Sequence, residues 1–257
     1  MTFSIIARCR DTGQFGVAIA SSSPAVAARC MFAEAGVGAV STQNVTNPAL
    51  GPLMLAAMKK GAGAQEAVAS ARDADGFPAY RQLLAIDGKG ESAIHSGPKA
   101  LGIWTSAAGT DCAAGGNLLA NDQVPATMVS AFETAAGTLA DRLVAAMQAG
   151  LAAGGEAGPV HSAGLLVVDR QSWPYIELRI DWLDADCPIA ALARALENYK
   201  PQADDYVTRA LNPEAAPSYG VPGDERRNPA GRPMLDCSPA KAPYTGSSAD
   251  GPGAFEG

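Results

Sequence analysis

The chain has 257 residues, 47% of them hydrophobic and 18% charged, with a formal net charge of −7. That length and composition suit one large domain or two small ones with a substantial core, and exclude a disordered or fibrous protein. Basic runs no longer than the pairs Lys59–Lys60 and Arg226–Arg227 leave no surface for a nucleic acid or an anionic membrane.

No apolar stretch approaches the roughly 18 uninterrupted residues of a spanning helix. The start, Met1-Thr2-Phe3-Ser4, lacks the basic head and apolar core of a signal peptide. Five cysteines (Cys9, Cys30, Cys112, Cys187 and Cys237) are scattered without a CxxC pair. They predict neither a disulfide framework nor a zinc site, and a reduced, cytoplasmic setting is the simple reading.

In chain order, residues 2–9 are β-rich and end at the turn signal Asp11-Thr12-Gly13; residues 15–21 follow, so the chain opens with a hairpin. Residues 36–43 read as a strand running into Asn44-Val45-Thr46-Asn47-Pro48, a helix-start loop. Residues 50–60 carry an apolar helical stripe stopped by Gly61, and residues 64–74 form a second helix. Residues 82–87 and 91–96 form a hairpin through Gly88-Lys89-Gly90. Residues 109–117 read as a glycine-rich loop leading into helix over 122–153, divided near Gly137 and ended by Gly154.

Strands at 162–169 and 175–181 are both expected to be buried, from the continuous Gly164-Leu165-Leu166-Val167-Val168 run, and residues 188–199 form an amphipathic helix. From residue 213 about a third of the positions are Pro or Gly. The expectation is a domain over 1–212 and a disordered or draped tail over 213–257. Hairpins separated by helical pairs predict an α+β fold: a four-layer αββα sandwich of two antiparallel sheets between helical layers.

Thr2 is the first candidate for chemistry. Methionine is removed when the next residue is small, and the freed Thr2 carries a hydroxyl and an α-amine on adjacent carbons. The amine titrates near ~8 and can serve as base for a hydroxyl that is a poor nucleophile alone. Thr2 also leads straight into a strand, and a nucleophile must be held rigidly.

Met1 to Arg8, Phe15 to Ser21 and Ala35 to Asn44 resemble the bacterial domain-of-unknown-function family 1028. So do Tyr80 to Asp87, Gly115 to Ala120 and Ser162 to Val168, and the resemblance spans about residues 1–200. It implies an N-terminal-nucleophile (Ntn) hydrolase fold similar to proteasome β-subunits, with an unspecified substrate. By that likeness Ser22 and Ser23 fall where an acidic residue is expected after the second strand, and Arg29 falls near the position of a lysine beside the nucleophile. Gln43 and Asn44 fall at the junction that supplies an oxyanion-hole amide, and Asn117 falls where a serine sits in a Gly-Ser-Gly loop. His161 borders the same region.

Arg81 is able to hold a substrate carboxylate bidentately or to pair with Asp87 or Glu91. Absence of a GxGxxG, phosphate-loop or metal-triad pattern predicts no cofactor and no metal. The expected activity is cleavage of a small-molecule amide, ureido or cyclic-imide C–N bond. A small-molecule-binding protein on the same fold, or an esterase or lactonase, are the alternatives. Exposed sheet edges predict a homo-oligomer.

Overall fold

The computed structural model of the chain describes residues 1–219, and from residue 220 the Pro/Gly-rich segment lies outside the described residues. Two units are distinguished, Met1–Asp204 and Asp205–Gly257. The first contains two antiparallel sheets. Strands β1 (Thr2–Arg8), β2 (Phe15–Ser21), β7 (Ile103–Gly109), β8 (Cys112–Leu119), β9 (Ser162–Val168) and β10 (Ile176–Ile180) form a six-stranded sheet in the order β10-β9-β2-β1-β8-β7. Strands β3 (Met31–Glu34), β4 (Gly38–Asn44), β5 (Arg81–Asp87) and β6 (Ser92–Ser96) form the other, in sequence order.

The helices are α1 (Ala27–Cys30), α2 (Leu50–Lys59), α3 (Ala64–Ala74), α4 (Val124–Thr134), α5 (Leu139–Ala152), α6 (Pro188–Tyr199) and α7 (Ala203–Leu211). Three apolar cores fill the spaces between four layers. Phe3, Ile5 and Ala7 of β1 pack with Phe132 of α4, Leu143 of α5 and Leu192 of α6. Ile6 of β1 and Val17 and Ile19 of β2 meet Ala39, Leu84 and Ile86 of the second sheet. Val40, Leu83 and Ala85 face Met54 and Met58 of α2 and Ala67 and Ala71 of α3. The arrangement is the expected αββα sandwich, and it follows from period-two alternation: odd residues of β1 face helices, even ones face the other sheet.

Local chemistry fixes the helix starts. Thr138 Oγ1 accepts the Asp141 N–H while the Asp141 carboxylate accepts the Thr138 N–H, a capping box for α5. Pro125 and Pro188 stand in the first turns of α4 and α6.

The structure corrects four expectations. The glycine-rich loop over 109–117 is in fact β8, buried against β1 and β7, and Asn117 belongs to a strand. Its Ala-Ala-Gly-Gly run has small side chains because the strand is enclosed on both faces, and local propensity gave no sign of this. Strand β10 is an edge strand with alternating exposure, so only β9 of that pair is fully buried. Strands β3 and β7 and helices α1 and α7 had no counterpart in the sequence reading. Strand β4 starts at Gly38 rather than at 36, and a Cβ on Gly38 would lie 2.3 Å from the Ile86 carbonyl oxygen of β5.

The second unit is described from Asp205 to Tyr219. It holds the remainder of α7 and the segment after it, and the Arg209 guanidinium of α7 lies 4.0 Å over the Tyr219 ring.

Candidate active site

Strand β1 is central in its sheet, flanked by β2 and β8. Its first residue, Thr2, stands opposite Ser21 on one side and Asn117 on the other. Thr2 shares the inward parity of Ile6, so its side chain enters the space between the sheets at their end, and only 6% of the residue is exposed. The Thr2 hydroxyl lies 3.3 Å from Ser21 Oγ and donates to the Met1 carbonyl oxygen at 2.5 Å. Ser21 Oγ also donates to that carbonyl.

A chain of donors stands behind Ser21. Ser23 Oγ is 2.8 Å from Ser21 Oγ, and Arg29 Nη2 donates to Ser23 Oγ at 3.3 Å. The guanidinium charge therefore polarises two hydroxyls in sequence toward the start of β1. Arg29 Nη1 is committed to the Pro24 and Ala25 carbonyls, so Arg29 braces the 23–25 turn and reaches Thr2 only through the serines.

A second network rises from the other sheet. Ser4 Oγ donates to Gln43 Oε1 at 2.7 Å, and Gln43 Nε2 donates to Gln82 Oε1 at 2.7 Å and to the Gly115 carbonyl at 3.1 Å. Gln82 Nε2 faces Ser96 Oγ and the Gly116 carbonyl, each at 3.1 Å, which sets its amide orientation. Its Oε1 then accepts from Asn117 Nδ2 at 3.3 Å. Gln43 and Gln82 are fully buried and Asn117 nearly so, a concentration of polar groups that must be paired to be tolerated.

A carboxylate closes the third side. Glu156, in the loop before β9, pairs through its backbone with Leu119 at the end of β8, and its Oε2 accepts the Ser22 N–H at 3.0 Å. Burial pushes its carboxyl up to about 7 against the pull of the chain's α-ammonium and the Ser22 hydrogen bonds.

Other expected residues point elsewhere. Asn44, at φ 74°, donates to the Tyr80 carbonyl at 2.5 Å and accepts from the Leu101 N–H, clamping the edge of the second sheet. Arg81 pairs with Asp75 at 2.7 Å and with the Val45 carbonyl, not with Asp87 or Glu91. This guanidinium holds the Asp75 carboxyl below its usual range. The His161 ring stacks on Trp182 at 4.4 Å with Nδ1 3.3 Å from Asp184, and only its backbone N–H touches the site, bonding the Ser21 carbonyl. Ser22 contributes its N–H to Glu156, and Ser23 its hydroxyl to Ser21.

Backbone strain marks the same place. Four described non-glycine residues have positive φ, and three of them, Ala25, Asn44 and Leu118, follow the Ser21–Ser23 turn, Gln43 and Asn117. Such conformations cost of order 1–3 kcal/mol each and cluster at functional sites. Buried Cys30 and Cys112 are poor nucleophiles, since burial raises both thiols, Cys112 to about 12. A cavity of about 260 Å³ lined by Cys9, Thr138, Tyr175 and Lys200 lies at the opposite end of β1, where Lys200 is paired with Asp141 at 2.7 Å. No group of metal-ligating side chains occurs among the described residues. None of their helices is long and apolar enough to cross a membrane.

The fold and site define an αββα protein whose polar centre is the start of its central strand. Residues 2–192 match the model described as "Family of unknown function (DUF1028)", and the chain belongs to that family. It is similar to the solved protein SPO2555 from Silicibacter pomeroyi, of the same family model, at 30% identity with a TM-score of 0.72, covering 77% of this chain and 89% of that one. Anbu (ancestral beta-subunit) from Yersinia bercovieri aligns at 12% identity with a TM-score of 0.34, over 80% of this chain and 97% of that one. No curated protein matches.

Proposed function

We propose that the protein is an N-terminal-nucleophile hydrolase in which Thr2, freed of Met1, cleaves a small-molecule amide, ureido or cyclic-imide C–N bond. The observation that carries this reading is the position of Thr2. It begins the central strand, its hydroxyl faces inward, and it is flanked by the Ser21 hydroxyl and the strand register of Asn117.

The freed α-amine takes the Thr2 hydroxyl proton, directly or through one water, as Oγ1 attacks the substrate acyl carbon. The negative charge that develops on the acyl oxygen meets donors already fixed in place. Ser21, polarised through Ser23 and Arg29, is one; the Asn117 amide, whose second N–H remains after its bond to Gln82, is the other. Collapse breaks the C–N bond, and the leaving nitrogen takes the proton back from the ammonium. Water, deprotonated by the same amine, then breaks the Thr2 ester and restores the hydroxyl.

Intact mass of the purified protein, with a panel of matched amides, lactams, hydantoins and esters, tests the reading. The expected result is a chain lighter by one methionine, with C–N hydrolysis that Thr2→Ala abolishes, a loss of roughly 10³-fold or more by comparison with other nucleophile deletions. Retained Met1 in active protein, or turnover indifferent to Thr2→Ala, sinks it. Ester-only turnover would make it an esterase, and ligand binding without turnover a binding protein.

A further inference from the structure

The carboxylate over the start of β1 has a place that the reaction above does not use. Glu156 is 95% buried by its 5% exposure, and while Oε2 holds the Ser22 N–H, Oε1 has no hydrogen-bond partner among the described residues. A buried polar oxygen left without a donor loses its hydration with nothing in return, so its retention needs a reason.

Topology supplies one. Strand β1 lies between β2 and β8, and Glu156 is tied to both neighbours, by backbone to Leu119, the last residue of β8, and by carboxylate to Ser22, the residue after β2. Ala120 N–H to the Gly155 carbonyl and Ala157 N–H to the Leu118 carbonyl fix its backbone on either side. Glu156 is therefore tied to both strands that flank β1, at the end where Thr2 begins. Met1 lies at the same end, with its Cε 2.7 Å from where a Cβ on Gly158 would stand. The chain's α-ammonium already acts on the Glu156 carboxyl. Removing one residue shifts that amine by no more than about 3.8 Å.

We propose that Glu156 is the positioning residue for the Thr2 α-amine: after Met1 leaves, its free carboxylate oxygen accepts from the amine and holds it beside the Thr2 hydroxyl. The inference rests on the reading that Thr2 becomes the first residue. It also explains how a chain with serines at 21–23 orients its amine, since the carboxylate comes from the loop bridged to the end of β8. As the amine takes the hydroxyl proton, the carboxylate stabilises the ammonium that forms. Of the other titratable and charged groups on the neighbouring elements, Arg29 braces the 23–25 turn and reaches Ser21 only through Ser23, His161 faces Asp184, and burial raises the Cys30 thiol and so disfavours its charged form.

The test uses periodate, which cleaves between adjacent carbons bearing an amine and a hydroxyl and reacts with the neutral amine. Cleavage leaves an aldehyde at the chain start, releases acetaldehyde and ammonia, and reduces periodate to iodate. Its rate is followed by intact mass against pH for the full-length protein, Glu156→Gln, Glu156→Asp and Thr2→Ala. A nearby carboxylate favours the ammonium, so the unmodified protein should reach half its maximal rate about one pH unit above Glu156→Gln, and Glu156→Gln should react about tenfold faster below both midpoints. Glu156→Asp, with the charge kept at shorter reach, should fall between. Superimposable profiles for the unmodified protein and Glu156→Gln overturn the assignment while leaving Thr2 exposed. If Glu156→Gln does not fold, a midpoint in the unmodified protein at or below the ordinary value of about 8 overturns it equally. No cleavage beyond that of Thr2→Ala overturns both this assignment and the reading beneath it.

Discussion

At one end of the space between the two sheets, Ile6, Val17, Ile19, Leu84 and Ile86 pack against one another with no polar atom among their side chains. At the other end the same strands β1, β2, β4 and β5 present Thr2, Ser4, Ser21, Ser41, Gln43 and Gln82, equally buried and joined by hydrogen bonds. The apolar end stabilises the fold in proportion to the area it removes from water. The polar end pays desolvation that its internal bonds only offset, so stability alone gives no cause to build it. Two halves of one layer thus divide the labour: one holds the sheets together, and the other arranges donors around the head of β1.

Substitutions at the two ends should separate accordingly. Ile6→Ala, in the apolar half, should cost about 2–5 kcal/mol of unfolding free energy, measured by denaturant titration, with the periodate reactivity of the chain start unchanged. Loss of that reactivity with little loss of stability would erase the distinction.

Glu156→Gln should alter stability in a pH-dependent way. The folded carboxyl is raised by burial from 4.5 to about 7, so the folded state binds the proton more tightly than the unfolded chain. Stability from this group is therefore present below about 4.5 and falls as pH rises to about 7, by up to ~3 kcal/mol. In the chain that keeps Met1, the variant should be more stable than the parent at pH 8 by up to that amount, and melting curves across pH 4–8 should lose the decline; in the chain freed of Met1 the ammonium beside Glu156 should make the decline smaller.

Gln82→Ala removes the acceptor shared by Gln43 and Asn117 and should cost about 1–3 kcal/mol. By freeing Asn117, it should lower kcat more than it raises KM once a substrate is in hand. The smallest effect on stability belongs to Thr2→Ala, about 1 kcal/mol or less, for the loss of one hydroxyl contact. A large destabilisation there would give Thr2 a structural role in place of a chemical one.

Most of the fold was legible because period-two and helical patterns survive in long elements such as β1, β9 and α5. What escaped had physical reasons. Strand β8 carries Ala113, Ala114, Gly115 and Gly116, whose small size reflects enclosure between layers, and small residues carry no strand signal. With β8 unseen, the register that sets Asn117 opposite Thr2 was invisible too. Thr2 and the serine run at 21–23 were evident from the sequence, and Gln82 interrupts the inward face that Leu84 and Ile86 continue at intervals of two along β5. That interruption is the signal by which Gln82 could have been found. Glu156 had none: it sits among Gly154, Gly155 and Gly158 in a loop, and only the β8–loop bridge brings it to the site.

The bridge also sets terms for handling the molecule. Gly158 has no side chain where the Met1 methyl lies, since a Cβ there would come within 2.7 Å of it. Residues joined ahead of Met1 would have to leave past Gly158 and Glu156, so a purification tag at this end should slow the periodate reaction of the chain start, and a tag at the other terminus should not.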